Sequence, residues 1–269
     1  MNQLLISIIL GLVEGFTEFL PVSSSAHLIF IHYLLNINSD NIKSLAISIQ
    51  IGPIIALYFI FNNILKNKIY LFISNCHKEK KNIYKLLICC FLGLFPVCTA
   101  GICFYNKIQT VYTPIQLVYN LILGSIFFIF AELFRSNNLK KINNICQLNY
   151  YRAFVIGLIQ CLSLLPGISR LGITVATGLI LGLTRKVAFE FSFLLFFFIT
   201  FGTFSIEIYK NFSYFISNYN LIFLGILVSF FVSFFIGKFL MHIIYKTSLI
   251  FFSLYRLILA CMIYVLINH

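Results

Sequence analysis

Apolar runs dominate this chain, and the places where they are cut carry most of its information. Segments near 43–62, 84–105, 115–135, 187–209, 219–245 and 249–268 are long and apolar enough to cross a bilayer as helices. Two other regions, 2–36 and 152–184, differ. Each is interrupted midway, by Leu-Pro-Val-Ser-Ser-Ser at 20–25 and by Leu-Pro-Gly-Ile-Ser-Arg at 165–170. Proline has no N–H to donate and restricts the residue before it, so each helix should break there. Two short helices around such a break predict a re-entrant hairpin. Backbone freed at membrane depth is tolerated only where it is buried in protein or lines a wet cavity.

The two interruptions resemble each other. Leu20-Pro21-Val22-Ser23-Ser24 matches Leu165-Pro166-Gly167-Ile168-Ser169, and each follows a Gly-Leu pair, Gly11-Leu12 and Gly157-Leu158, with one residue of slippage. Paired, Gly/Pro-interrupted segments in matching positions of two halves point to an inverted repeat with its site at the interface. Charge placement agrees. The 62–85 loop holds Lys66, Lys68, Lys78, Lys80, Lys81 and Lys85, and the 135–152 loop holds Arg135, Lys140, Lys141 and Arg152. Between them, 105–115 has only Lys107. The two rich loops read as cytoplasmic, so the first hairpin enters from outside and the second from the cytoplasm. The expected fold is an all-α polytopic membrane protein with an inverted-topology repeat, about six transmembrane helices and two re-entrant helical hairpins. One integral membrane domain would cover 1–269, repeat one running to about 140 and repeat two from about 141.

Composition supports this and removes other classes. The chain is 61% hydrophobic and 10% charged, which leaves no segment polar enough for a separate soluble domain. The net charge of +12 fits basic cytoplasmic loops facing anionic lipid, so no nucleic-acid partner is expected. The eight cysteines lie mostly in apolar runs without a CxxC, and read as buried small hydrophobes. The N-terminus lacks a basic n-region and a cleavage site, and is expected to belong to the mature protein.

Chemistry concentrates at the two interruptions. Glu14 and Glu18 lie four residues apart, on one helix face, where like charges repel and each carboxylate is costly. A cation, a proton or an arginine must offset them; hard carboxylate oxygens would suit a divalent metal. Ser23, Ser24 and Ser25 follow the proline where a new helix starts, so they can cap it or bind an anion with its free N–H groups. His27, one turn on, is a candidate acid, base or nucleophile. In the second cluster, Arg170 can hold phosphate in a bidentate fork, or pair with Glu14 or Glu18 across the repeat interface. Ser169 and Thr174 offer hydroxyls beside it, and Gly167 and Gly172 permit close backbone approach to an oxyanion. Gln50, Gln160, Glu190 and Arg256 are weaker candidates for support of the cavity. Such a set suits phosphoryl transfer to water from a phosphate carried on an apolar tail.

"LGLVEGFTEFLPVSSSAHL" together with "PGISRLGIT" resembles the bacterial undecaprenyl-diphosphatase family of the bacitracin-resistance type, and "IQIG", "EFSFLL" and "LYRLILA" sit where that family has similar blocks. The resemblance covers essentially the whole chain. It implies hydrolysis of undecaprenyl diphosphate to undecaprenyl phosphate and inorganic phosphate, recycling the carrier for peptidoglycan synthesis and giving bacitracin resistance. It also implies a Mg²⁺ or Ca²⁺ requirement and a bacterial inner-membrane location with the site facing the periplasm. By this resemblance Glu14, Glu18, Ser24, His27 and Arg170 are the catalytic set, with Glu14 and Glu18 holding metal or activating water. Ser23, Ser25, Gly167, Ser169, Gly172 and Thr174 would bind substrate. The family leaves open whether the serine or the histidine attacks, and a homodimer is a further open expectation. Leu171 departs from the family, which often has serine there. One rival reading remains, a lipid flippase without hydrolysis; a second, the type 2 phosphatidic acid phosphatase class, is rejected. The latter needs a second histidine soon after its arginine, and none follows Arg170 before His242.

Overall fold

A computed structural model describes residues 2–35, 42–60, 77–104, 113–135 and 141–268. The lysines expected in loops at 66, 68, 107 and 140 lie outside the described residues. Eleven named helices follow in chain order: α1 (Gln3–Thr17), α2 (Ser24–Leu34), α3 (Ile42–Ile49), α4 (His77–Cys103), α5 (Pro114–Leu133), α6 (Tyr150–Gln160), α7 (Arg170–Ile180), α8 (Arg185–Lys210), α9 (Phe212–Ser217), α10 (Tyr219–Lys246) and α11 (Leu249–Asn268). No strand occurs among the described residues apart from one isolated bridge between Ile142 and Leu183.

Five described helices are long and apolar enough to cross a membrane: Asn82–Cys103, Pro114–Leu133, Arg185–Lys210, Tyr219–Lys246 and Leu249–Asn268. The chain is therefore a multi-pass membrane protein. The sixth expected span, near 43–62, is the shorter apolar helix Ser44–Ile60, broken at Gln50. Pro53 explains the break. It cannot donate to the carbonyl of Ile49, four residues back. That carbonyl instead accepts from the Ser229 hydroxyl at 2.7 Å. A side chain at Gly52 would meet the same hydroxyl at 2.0 Å, so α10 docks onto the break itself.

Both interruptions form as short helix pairs, α1–α2 and α6–α7. The second is preceded by a 3-10 turn, Cys161–Leu164. The backbone corrects the sequence alignment by one residue. Ser23 and Ser169, not Ser24 and Ser169, are the equivalent positions: both are helix N-caps at φ 72°. They are the two non-glycine residues with positive φ among the described residues. Ser169 follows Ser23 by the same interval that separates Gly11 from Gly157. The prolines alone are out of step: the second loop has one residue fewer before its proline and one more between proline and serine.

Packing repeats in the same way. Helix α1 lies on α10, and α6 lies on α4. Glycine meets glycine at both crossings. A Cβ at Gly11 would stand 2.8 Å from the Gly225 carbonyl, and one at Gly157 would stand 2.3 Å from that of Gly93. Such small-residue crossings let membrane helices approach where no hydrophobic force drives them together. Helices α5 and α11 form the third close pair. Outward faces carry exposed Phe91, Ile102, Phe235 and Phe251, as lipid-facing surface requires.

Candidate functional site

The two strained serines bring both loops to one place. A polar cavity of about 60 Å³ is lined by Glu18, Leu20, Ser23, Ser24, Ser25 and Gln50 from the first half. Ser163, Leu165, Ser169, Arg170 and Leu171 line it from the second. The loops also touch directly, because the Gly167 N–H donates to the Ser25 hydroxyl at 3.4 Å. The N-termini of α2 and α7 thus face one small volume, each presenting first-turn N–H groups and the positive end of its dipole.

Within the cavity, the Ser24 hydroxyl donates to Glu18 Oε2 in a very short hydrogen bond. Ser23 and Ser25 hydroxyls lie 3.1 Å apart. The Ser169 hydroxyl caps α7 by accepting from the Gly172 N–H at 3.2 Å. Arg170 is oriented by α8, where its Nη1 donates to the Thr200 hydroxyl at 2.7 Å. Thr200 is fully buried, so this anchor is rigid. The guanidinium also lies over the Phe196 ring, 5.8 Å from its centroid, and within electrostatic reach of both Glu14 and Glu18.

Glu14 sits one helical turn deeper than Glu18. It is wholly buried; among the described residues its carboxyl oxygens meet no hydrogen-bond donor group, and the Glu18 carboxyl lies within hydrogen-bond reach. A buried carboxylate in that state needs a compensating cation or proton. Two carboxylates with hydroxyls alongside make an all-oxygen donor set, the kind a hard divalent cation takes. No cluster of three or more His, Cys, Asp or Glu side chains occurs among the described residues. The remaining ligands of such a cation would therefore be water or substrate oxygens, as is usual for Mg²⁺.

Other expected site residues lie differently. His27 does not line the cavity. Its Nδ1 stands 2.8 Å from the Ser23 carbonyl oxygen and its Nε2 stands 2.7 Å from the Tyr255 hydroxyl. A carbonyl only accepts, so Nδ1 carries the hydrogen, and in the neutral ring Nε2 accepts from Tyr255. Thr174 turns its hydroxyl back onto the Arg170 and Leu171 carbonyls of its own helix. Gly172 makes room for a ring, since a Cβ there would stand 2.0 Å from Phe128 Cζ. Gly167, at φ 96°, supplies the turn that aims its N–H at Ser25. Of the weaker candidates, Gln50 reaches the cavity. Gln160, the counterpart of Glu14 by the Gly11–Gly157 spacing, is likewise wholly buried with unpartnered side-chain atoms among the described residues. Arg256 is wholly buried in the protein. Sequence reasoning missed Thr200 and Ser163, which lie in an apolar context with no local motif, and passed over Tyr255 although it stands in the "LYRLILA" block.

Known proteins match this chain along nearly its whole length. A family model described as bacitracin resistance protein BacA matches residues 7–262. The undecaprenyl-diphosphatase of Wigglesworthia glossinidia brevipalpis is 43% identical over 263 residues, covering 98% of both chains. Those of Buchnera aphidicola (Acyrthosiphon pisum, strain Tuc7) and Baumannia cicadellinicola are 37% and 35% identical, each again with 98% of both chains covered. The agreement extends through both hairpins and the helices that hold them, and the chain belongs to the bacitracin resistance protein BacA family.

Proposed function

We propose that this chain hydrolyses undecaprenyl diphosphate to undecaprenyl phosphate and inorganic phosphate, recycling the lipid carrier for peptidoglycan synthesis. One observation carries the reading: a hydroxyl–carboxylate pair, Ser24 and Glu18, shares a small polar cavity with Arg170 at two helix N-termini. A flippase needs a phosphate site but no proton acceptor bonded to a hydroxyl beside it.

In the mechanism we favour, Arg170 and the N-terminal N–H groups of α2 and α7 hold the terminal phosphate. Ser24 Oγ attacks its phosphorus while Glu18 accepts the hydroxyl proton. The new Oγ–P bond replaces the bond to the bridging oxygen, and the lipid phosphate departs. Water then attacks the phosphoserine phosphorus. Ser24 Oγ leaves, recovering the proton from Glu18, and the water's proton departs with the phosphate. His27 supports the loop and does not attack, because both its ring nitrogens are engaged away from the cavity. Ser23, Ser25 and Ser169 contribute hydroxyls at the rim. A divalent cation, Mg²⁺ or Ca²⁺, held by Glu14 and Glu18 would neutralise diphosphate charge when bound.

Helix directions support a periplasmic site in the bacterial inner membrane. Lys85, Arg135, Arg152, Arg185 and Lys246 fall at the ends of their helices that the charge rule assigns to the cytoplasm. The matching hairpins and glycine crossings support two inverted repeats joined near residue 140. The test is phosphate release by the purified chain from undecaprenyl diphosphate in detergent micelles. One phosphate per lipid supports the reading. Lipid translocation in vesicles without phosphate release would replace it with the flippase.

A further inference from the structure

We infer that the adjacent residues Tyr255 and Arg256 of α11 are positioning residues that hold the two cavity loops in their strained, reactive shape, one residue to each loop. The inference rests on the hydrolase reading for its kinetic consequences only; the geometry stands without it.

Tyr255 acts on the first loop through His27. Its hydroxyl meets His27 Nε2 at 2.7 Å, and the two rings stack at 5.6 Å with planes 10° apart. Engaging Nε2 as an acceptor fixes the hydrogen on Nδ1, which donates to the Ser23 carbonyl. Ser23 is the residue at φ 72°, a conformation that a serine keeps only where its surroundings enforce it. Its peptide bond leads directly to Ser24, the hydroxyl that faces Glu18.

Arg256 acts on the second loop without an intermediary. Wholly buried, it donates from Nη1 to the Ile168 carbonyl at 2.8 Å and from Nη2 to the Gly167 carbonyl at 2.9 Å. The same side chain is braced by α5, through the Leu121 carbonyl and the Ser125 hydroxyl, each at 3.2 Å. Gly124 makes its room: a Cβ there would stand 2.2 Å from Nη2. The carbonyls that Arg256 holds belong to the two residues before Ser169, the second serine at φ 72°, which leads directly to Arg170. One rigid helix therefore sets both the Ser24 hydroxyl and the Arg170 fork, and fixes their separation.

The experiment compares wild type, Tyr255→Phe and Arg256→Lys as full-length protein in detergent, with imidazole ¹⁵N spectra of histidine-labelled samples and steady-state kinetics. His27→Ala identifies the His27 resonances. Wild-type His27 is expected as the Nδ1–H tautomer. Tyr255→Phe, which keeps the ring and loses only the hydroxyl, should shift the Nε2 resonance and lower kcat by roughly tenfold with KM little changed, the scale of one hydrogen bond. Arg256→Lys, which keeps the charge but cannot span two carbonyls, should lower kcat further and leave the His27 resonances in place. A His27 spectrum of the Nε2–H form, or one unmoved by Tyr255→Phe, overturns the assignment whether or not the protein hydrolyses lipid diphosphate. Wild-type kcat in both variants overturns the positioning role.

Discussion

Replacing Arg170 by lysine keeps the charge in the cavity and removes the fork. Arginine holds Thr200 through Nη1 at 2.7 Å, and this bond sets the plane of the guanidinium against the cavity. Lysine has a single nitrogen on a flexible stem, so it cannot hold Thr200 and grip a phosphate in two parallel bonds. The loss is about one charge-assisted hydrogen bond, roughly 1.5–3 kcal/mol. At about 1.4 kcal/mol per decade, kcat/KM should fall by roughly 10- to 150-fold. Thr200→Val provides the companion test. It leaves Arg170 and its charge intact but removes the anchor, and should cost less than Arg170→Lys, about tenfold. The assay is phosphate release from undecaprenyl diphosphate over a range of lipid concentration. Wild-type kcat/KM in Arg170→Lys would refute the fork. Equal and large losses in both variants would mean that orientation by Thr200, not bidentate contact, carries the effect.

Three further outcomes are expected. Ser24→Ala and Glu18→Gln should each reduce phosphate release by on the order of 100-fold or more, while circular dichroism shows the helical content of wild type. Gly157→Ala should lower the thermal midpoint in detergent, because its methyl group would meet the Gly93 carbonyl where α6 crosses α4, an overpacking cost of about 1–3 kcal/mol; an unchanged midpoint would contradict the close crossing. Removing divalent cations with a chelator should stop turnover and re-addition of Mg²⁺ or Ca²⁺ should restore it, whereas undiminished turnover would take the cation out of the account.

The hairpins were legible because proline and serine interrupt an otherwise apolar pattern, and that contrast survives in one dimension. The loop contacts at Glu18, Ser24 and Arg170 were legible for the same reason: charged and hydroxylic residues are costly in lipid and stand out. The register between the halves was not. Leu-Pro-x-x-Ser suggested Ser24 opposite Ser169, but the positive φ at Ser23 is a backbone property that no side chain announces. The break within the 43–62 segment was not legible, because Pro53 interrupts the helix while Ser229, far away in sequence, accommodates the interruption. The contact made by Tyr255 could not be read from the "LYRLILA" block for a similar reason. Its hydroxyl matters only through a histidine 228 residues away in the chain. Thr174 and Gly172 neighbour Arg170 in sequence, and only the structure shows the Thr174 hydroxyl turned onto its own backbone and the Phe128 ring packed against Gly172.

The most direct test of the account is to trap the reaction at Ser24. Purified protein is mixed with undecaprenyl diphosphate labelled in its terminal phosphate, quenched within a turnover, and digested for mass spectrometry. The account predicts an acid-stable phosphoryl group on Ser24 that is absent from Ser24→Ala. An acid-labile phosphoryl group on His27, or released phosphate with no label ever bound to the protein, would contradict it.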